Sequence, residues 1–398
     1  MRIPRTVVGL TAALSALVCG CAASSSAGAS TRPSSTSTTA DASSPFTVDP
    51  AWPKPLPNNW IIGQVSGIAV DERDHVWLVQ RPKSLTDDER GAALQPPVSK
   101  CCVAAPPVME FDADGTLLQA WGGPGQGYDW PQSEHGIFVD AAGFVWLGGN
   151  GDDDGQILKF TRDGKFVAQF GKPGPQTGSA DTSRFGRPAT AEVDLSANEV
   201  YVADGYFNRR VIVVDARTGA YKRHWGAYGR PPRDTGEKPV LSRPAPPPSP
   251  PSQDFGNPVH CARLSRDGLV YVCDRINDRV QVFRRDGTFL KEFLIEPRTA
   301  ANGSTWDIAI SKDPEQRYLF LADGRNNEIH ILRRDTGVEA GAFGRPGRRR
   351  ATSTGCTTSP SIRRGTCTRA KSTRESARSG SCCGGSSPDD PGIHSSLM

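Results

Sequence analysis

The chain has 398 residues and a formal net charge of +4, with 36% hydrophobic residues, 42 Gly and 33 Pro. That much Gly and Pro excludes a helical bundle and suits many short strands joined by tight turns. The charge is uneven: the nine Lys or Arg and three Asp or Glu after Gly347 leave the rest of the chain at −2, which excludes a broad basic face for nucleic acid.

Residues 1–20 read as an export signal, with Arg2 and Arg5 at its charged start and an apolar stretch over 7–18 that is too short to span a membrane stably. The stretch Val18-Cys19-Gly20-Cys21 resembles a bacterial lipobox. That resemblance implies an exported lipoprotein, acylated on Cys21 and anchored by its lipid to a membrane, in the periplasm or at the cell surface. Residues 21–50 are rich in Ser, Thr and Ala and read as a flexible tether.

Over 51–347 one unit recurs. It has an alternating apolar strand, a turn of Asp with Gly or a polar residue, and further alternating strands that end near Phe-Gly or Trp-Gly. Copies begin at Ser66 (SGIAVDERDHVWLVQ), His135 (HGIFVDAAGFVWLGG), Ala191 (AEVDLSANEVYVADG), His260 (HCARLSRDGLVYVCD) and Trp306 (WDIAISKDPEQRYLFLADG). Period-two patterning with Asp-Gly turns predicts antiparallel hairpins. A small sheet of this kind buries both faces only by stacking on its neighbours, and radial stacking gives an all-β propeller. The pattern resembles NHL repeats, which implies an NHL-type β-propeller of six blades ancestrally, with five recognisable here. Insertions fall around Cys101-Cys102 and in the Pro-rich stretch over 230–258.

Four of the ten cysteines, Cys101, Cys102, Cys261 and Cys273, lie in the body. Spacing alone assigns no pairing, and they are expected as small buried or loop thiols. The run Asp152-Asp153-Asp154-Gly155 lacks the alternating ligand spacing of a calcium loop and is expected as a solvated hairpin turn.

Residues 348–398 break the pattern: Arg, Ser, Thr, Cys and Gly replace the apolar alternation, giving a basic tail expected to be disordered. Joining the last base of each codon to the first two of the next, with free synonymous choice, lets 351–377 encode a stretch close to DFHWLHNIAVDSTGNLYTGEVNEGKR. That is a further copy of the repeat. A frameshift near 347–351 is therefore expected to have removed the last blade.

Chemistry in a propeller gathers on loops and strand starts around the axis. His135 and His260 open equivalent strands in alternate blades, and the shifted frame supplies a third such His. Three neutral imidazoles with an open fourth position suit a catalytic zinc. Tyr206, in Asp204-Gly205-Tyr206-Phe207-Asn208-Arg209-Arg210, is placed to act as a base among guanidinium groups. Arg81 and Arg275 are placed at strand ends where a carboxylate can be held at two points. Asn208, Arg210, Asn277 and Arg279 are expected to fix their loops.

These stretches, together with Gln64-Val65-Ser66-Gly67-Ile68-Ala69-Val70-Asp71 and Pro258-Val259-His260, resemble the lyase half of peptidylglycine α-amidating enzymes. Such lyases cleave a C-terminal α-hydroxyglycine to an amide and glyoxylate. The resemblance implies His135 and His260 as zinc ligands, Tyr206 as the base, Arg81 and Arg275 as substrate or catalytic partners, and the backbone carbonyls of Ile68 and Ile137 as ligands of a structural calcium. The chain as written holds two of the three imidazoles and is expected to be inactive. Its partner would be a small or peptide-derived substrate. The rival reading is a non-catalytic propeller that binds a ligand or a protein of the cell envelope.

Overall fold

The computed structural model describes residue 46, residues 49–236 and 239–344, and the backbone of two short strands, Ser361–Arg363 and Thr366–Thr368. The expected signal, Cys21, most of the tether and the rest of the tail lie outside the described residues. Among the described residues no helix is long and apolar enough to cross a membrane.

Five four-stranded antiparallel meanders follow one another along the chain. Blade one contains Gln64–Val70, Val76–Arg81, Val108–Phe111 and Leu117–Trp121. Blade two contains Glu134–Val139, Val145–Gly149, Gln156–Phe160 and Phe166–Gly171. Blade three contains Thr190–Asp194, Glu199–Asp204, Arg210–Asp215 and Tyr221–Trp225. Blade four contains Val259–Leu264, Leu269–Asp274, Arg279–Arg284 and Phe289–Leu294. Blade five contains Asp307–Ile310, Tyr318–Asp323, Glu328–Arg333 and Glu339–Phe343.

The turns form where the sequence places Asp. Asp71 Oδ1 accepts the backbone amides of Arg73 (2.8 Å) and His75 (3.0 Å), and Asp140 Oδ1 accepts that of Phe144 (2.9 Å). A carboxylate that gathers the amides beyond it closes a tight turn without help from the ladder.

Alternation then places one apolar set on each face, and each face meets the next blade. Trp77, Val79, Ile137 and Leu158 pack between blades one and two, and Trp146, Ile157, Val202 and Ile212 between two and three. Tyr201, Val213, Ala262 and Phe283 fill the space between three and four, and Cys261, Tyr271, Ile308 and Leu319 that between four and five. Ion pairs repeat across the same joints. The arginine in a blade's last turn reaches back to the aspartate in the preceding blade's first turn: Arg162 to Asp71, Arg285 to Asp194 (2.9 Å) and Arg334 to Asp267 (2.9 Å).

No sixth four-stranded sheet occurs among the described residues. Blade five is followed only by the antiparallel pair Ser361–Arg363 and Thr366–Thr368. On the far face of blade five, Phe46 packs against Phe320 and Phe343, with ring centroids 5.9 and 4.9 Å apart. Trp52 covers Phe111 of blade one in the same way at 5.6 Å. The segment before blade one therefore supplies aromatic cover to blades one and five.

Two expectations are corrected. Cys261 and Cys273 are not separate thiols: they face each other across the first two strands of blade four and form a disulfide. Strand register sets this proximity, and spacing does not reveal it. In the acidic hairpin turn, Asp152 is exposed but Asp154 is buried, accepting the amides of Gln132 (2.8 Å) and Gly151 (2.7 Å).

Candidate metal centre

Ser66, His135, Thr190, His260 and Trp306 occupy equivalent places at the starts of the five first strands. The register slips at this point in blades one, two and four, between Val65 and Gly67, His135 and Ile137, and Val259 and Cys261. Such bulges bend a strand and re-aim its side chains. In blade two the extra residue is Gly136, with φ +66°, where any Cβ would collide with the Ala189 carbonyl oxygen. That oxygen lies 2.8 Å from His135 Nδ1, so the glycine is what lets the imidazole dock on the next blade. His260 Nδ1 docks in the same manner on the Trp306 carbonyl.

A carbonyl oxygen only accepts, so each Nδ1 carries the proton and each Nε2 is left as an acceptor. Both Nε2 atoms lie 3.0 Å from the Tyr206 hydroxyl, and the two imidazole centroids are 5.2 Å apart. Arg275 Nη1 donates to the same hydroxyl at 3.3 Å. The phenol has one proton and can serve one imidazole. The second Nε2 then faces an oxygen lone pair, so the centre is one donor short. All four side chains are fully buried, where an unsatisfied acceptor is costly. A cation shared by the two Nε2 atoms removes that deficit.

Burial holds both imidazoles well below the usual histidine range. Each also disfavours a proton on account of nearby charges: His260, Arg81 and Arg275 for His135, and Arg275, Arg263 and Arg81 for His260. Two neutral imidazoles with oriented Nδ1–H groups and convergent Nε2 lone pairs fit two of the three protein ligands that a catalytic zinc takes. No third imidazole joins them among the described residues. His75 pairs with Glu110, His224 with Tyr221, and His330 with Asp323 and Glu339. The position expected for the third ligand, in the shifted frame over 351–377, lies outside the described residues.

The two arginines flank the centre. Arg81 ends the second strand of blade one and donates to the Glu134 carbonyl (2.9 Å) and to Asn150 Oδ1 (3.0 Å). Arg275 opens a short 3-10 turn, Arg275–Asn277, and its guanidinium lies 5.6 Å from the Tyr206 ring centroid and 5.1 Å from that of Trp306. Arg275 Nη2 also donates to the Leu241 carbonyl (3.1 Å), which belongs to the Pro-rich insertion. Arg210 and Arg279 lie elsewhere, each in a fully buried ion pair, with Asp204 at 2.8 Å and Asp274 at 2.7 Å. Asn208 and Asn277 donate to the same two carboxylates (2.8 and 2.9 Å), so these four residues fix loops.

Ile68 and Ile137 line an axial cavity of about 240 Å³ beside the Arg263 guanidinium, which engages the carboxylates of Glu192 and Asp307 that a divalent cation would need there. Two further groups of ligand atoms converge. Cys261 and Cys273, near Asp307, are spent in a disulfide, and Asp71 and Glu110, near His75, are paired with Arg162. Sequence reasoning missed the carbonyls of Ala189, Trp306 and Leu241, because a main-chain acceptor carries no residue-type signature. Trp306 alone had a signal, standing at the place in its repeat that histidine holds in blades two and four.

Comparison with known proteins agrees with the repeat. The chain is 26% identical over 290 residues to NHL repeat-containing protein 3 of mouse, covering 70% of this chain and 65% of the mouse protein. It is 26% identical over 275 residues to peptidylglycine alpha-amidating monooxygenase of rat, covering 66% of this chain and 24% of the rat protein. The chain is an NHL-type β-propeller. No family model matches it. This NHL-type propeller thus spans just under two thirds of one relative and about a quarter of the other. Among solved structures, a catalytically inactive virginiamycin B lyase from Staphylococcus aureus with quinupristin aligns over 81% of this chain and 88% of its own, at 15% identity and a TM-score of 0.42.

Proposed function

We propose that this NHL-type propeller is an exported, lipid-anchored protein whose axis carries the remnant of a zinc-dependent amidating-lyase-like centre, and that the chain as written is inactive. The observation that carries the reading is the donor deficit between His135 and His260: two buried Nε2 acceptors share one phenol proton. His135 and His260 would hold the zinc, which supplies polarisation of a substrate hydroxyl when bound.

The chain's own residues supply the remaining parts. With both Nε2 atoms turned to the zinc, Tyr206 Oη would first give up its own proton to solvent and then take the proton of the substrate hydroxyl. The carbon–nitrogen bond then breaks with its electron pair on nitrogen, which takes a proton back, while the hydroxyl-bearing carbon becomes a carbonyl. Arg275 lies within reach of both the base and an approaching carboxylate, and Arg81 approaches from blade one. Proton transfer by a positioned side chain contributes on the order of 10²–10⁴ in rate. In a chain carrying the continuous frame, Tyr206→Phe should therefore lower turnover of a peptidyl α-hydroxyglycine by about that factor with zinc retained. Unchanged turnover removes Tyr206 from the reaction.

The Leu241 carbonyl on Arg275 favours a second reading, a non-catalytic propeller that binds a ligand or an envelope protein, because it occupies a guanidinium the lyase reading assigns to substrate. Saturable metal binding that depends on both histidines separates the two.

A further inference from the structure

Two or three residues beyond the histidine positions, the first strands line the axial cavity. Its walls include Ile68, Ile137, Glu192, Arg263 and Ile308, one from each blade, and Asp307 stands beside Ile308 on the same strand. The resemblance to amidating lyases implies a calcium here, on the carbonyls of Ile68 and Ile137. Calcium needs six to eight oxygen ligands, with carboxylates among them. The carboxylates nearest the cavity are Glu192 and Asp307, and all four of their oxygens are engaged. Asp307 Oδ1 accepts Arg263 Nε (3.0 Å) and the Ile308 amide (2.8 Å), and its Oδ2 accepts Arg263 Nη2 (2.7 Å). Glu192 Oε1 accepts the Leu264 amide (3.1 Å), and Oε2 lies 3.5 Å from Arg263 Nη1.

We infer that this axis takes no calcium and that Arg263 is its resident cation, a guanidinium held by Asp307 of blade five and Glu192 of blade three. Three properties support the assignment. The fork matches Asp307 at two points, which fixes its orientation. It joins three consecutive blades at the hub, the role an axial ion would otherwise fill. It is nearly buried, with 12% of the side chain exposed, so solvent does little to weaken its pairing with the two carboxylates. The residues do not fit calcium, and the inference stands independently of the zinc reading.

The test is calorimetric titration of calcium chloride into the purified full chain, paired with thermal midpoints in calcium and in magnesium. The expected result is no saturable calcium heat and equal midpoints. Saturable binding near one equivalent with a calcium-specific rise in midpoint overturns the inference. Arg263→Met, which leaves two acidic groups unpaired, should lower the midpoint by several degrees, while Arg263→Lys retains a charge and should fall between. An Arg263→Met midpoint equal to that of the unaltered chain also overturns it. Should the Met variant fail to fold, the titration of the unaltered chain and the Lys variant decide.

Discussion

His135 and His260 share a single partner at their Nε2 atoms, the Tyr206 hydroxyl at 3.0 Å from each, while each Nδ1 is committed to the carbonyl that precedes the next blade. The imidazoles are thus inter-blade pins and convergent ligands at once. Their role in holding the ring together makes consequences that can be measured without any substrate.

The first is acid sensitivity. Burial depresses both folded-state values, so between those values and the unfolded value near 6.5 the unfolded chain binds more protons. Stability from this source is complete above about 6.5 and is lost as pH falls through the folded values. Urea unfolding of the metal-free chain should show a midpoint that declines below about pH 6.5. A His135→Gln/His260→Gln double variant should show a shallower decline over the same range.

The second has the opposite sign. Burial lowers His330, but Asp323 and Glu339 outweigh it and push the imidazole up to about 9. A raised value stabilises below the unfolded pKa, so this contribution is full below about 6.5 and is lost between there and about 9. His330→Gln should flatten the alkaline limb of the stability profile and leave the acid limb unchanged.

The third concerns the loop clips. Arg210 and Asp204 are both fully buried and lie 2.8 Å apart. Arg210→Ala leaves a buried carboxylate without its cation, which should cost about 3–5 kcal/mol in urea unfolding. An exposed pair such as Arg90 with Asp87 should cost less than about 1 kcal/mol when broken the same way.

The fourth concerns the thiols. Alkylation of the denatured, unreduced chain should leave Cys261 and Cys273 unlabelled, and reduction should expose both to the reagent. Replacing the pair by alanines should cost about 2–4 kcal/mol, typical of a lost bridge. Labelling of Cys261 and Cys273 without reductant would show that they are separate thiols.

Much of the fold was legible because the repeat encodes it locally. Ser66-Gly67-Ile68-Ala69-Val70-Asp71 and His135-Gly136-Ile137-Phe138-Val139-Asp140 already contain the strand period and the turn carboxylate, and nothing distant is needed to read them. The convergence of His135, Tyr206 and His260 was legible only through register, since a ring folds equivalent positions of successive copies toward one axis. The back-reaching pairs such as Arg285 with Asp194 were not read, because they join different turns of neighbouring copies across 91 residues of intervening or insertion-lengthened chain in the case of Arg162 and Asp71. The Cys261–Cys273 bridge and the Arg263 cradle escaped for a related reason: each depends on which residues stand opposite after the sheets form.

Whether the tail replaces a sixth blade is decided by the gene. The nucleotides spanning codons 347–377 should spell the displaced repeat, including its histidine, when the last base of each codon is joined to the first two of the next. Bases that cannot do so would make the basic tail a genuine part of the protein and leave the centre without a third imidazole.

The most direct measurement is a zinc titration of the purified chain, followed by calorimetry, beside His135→Ala and His260→Ala. A shared site predicts saturation near one equivalent per chain, with loss of that binding in either variant. Zinc uptake that is absent from the unaltered chain, or that survives removal of both imidazoles, contradicts the metal centre and leaves His135, Tyr206 and His260 held by hydrogen bonds alone.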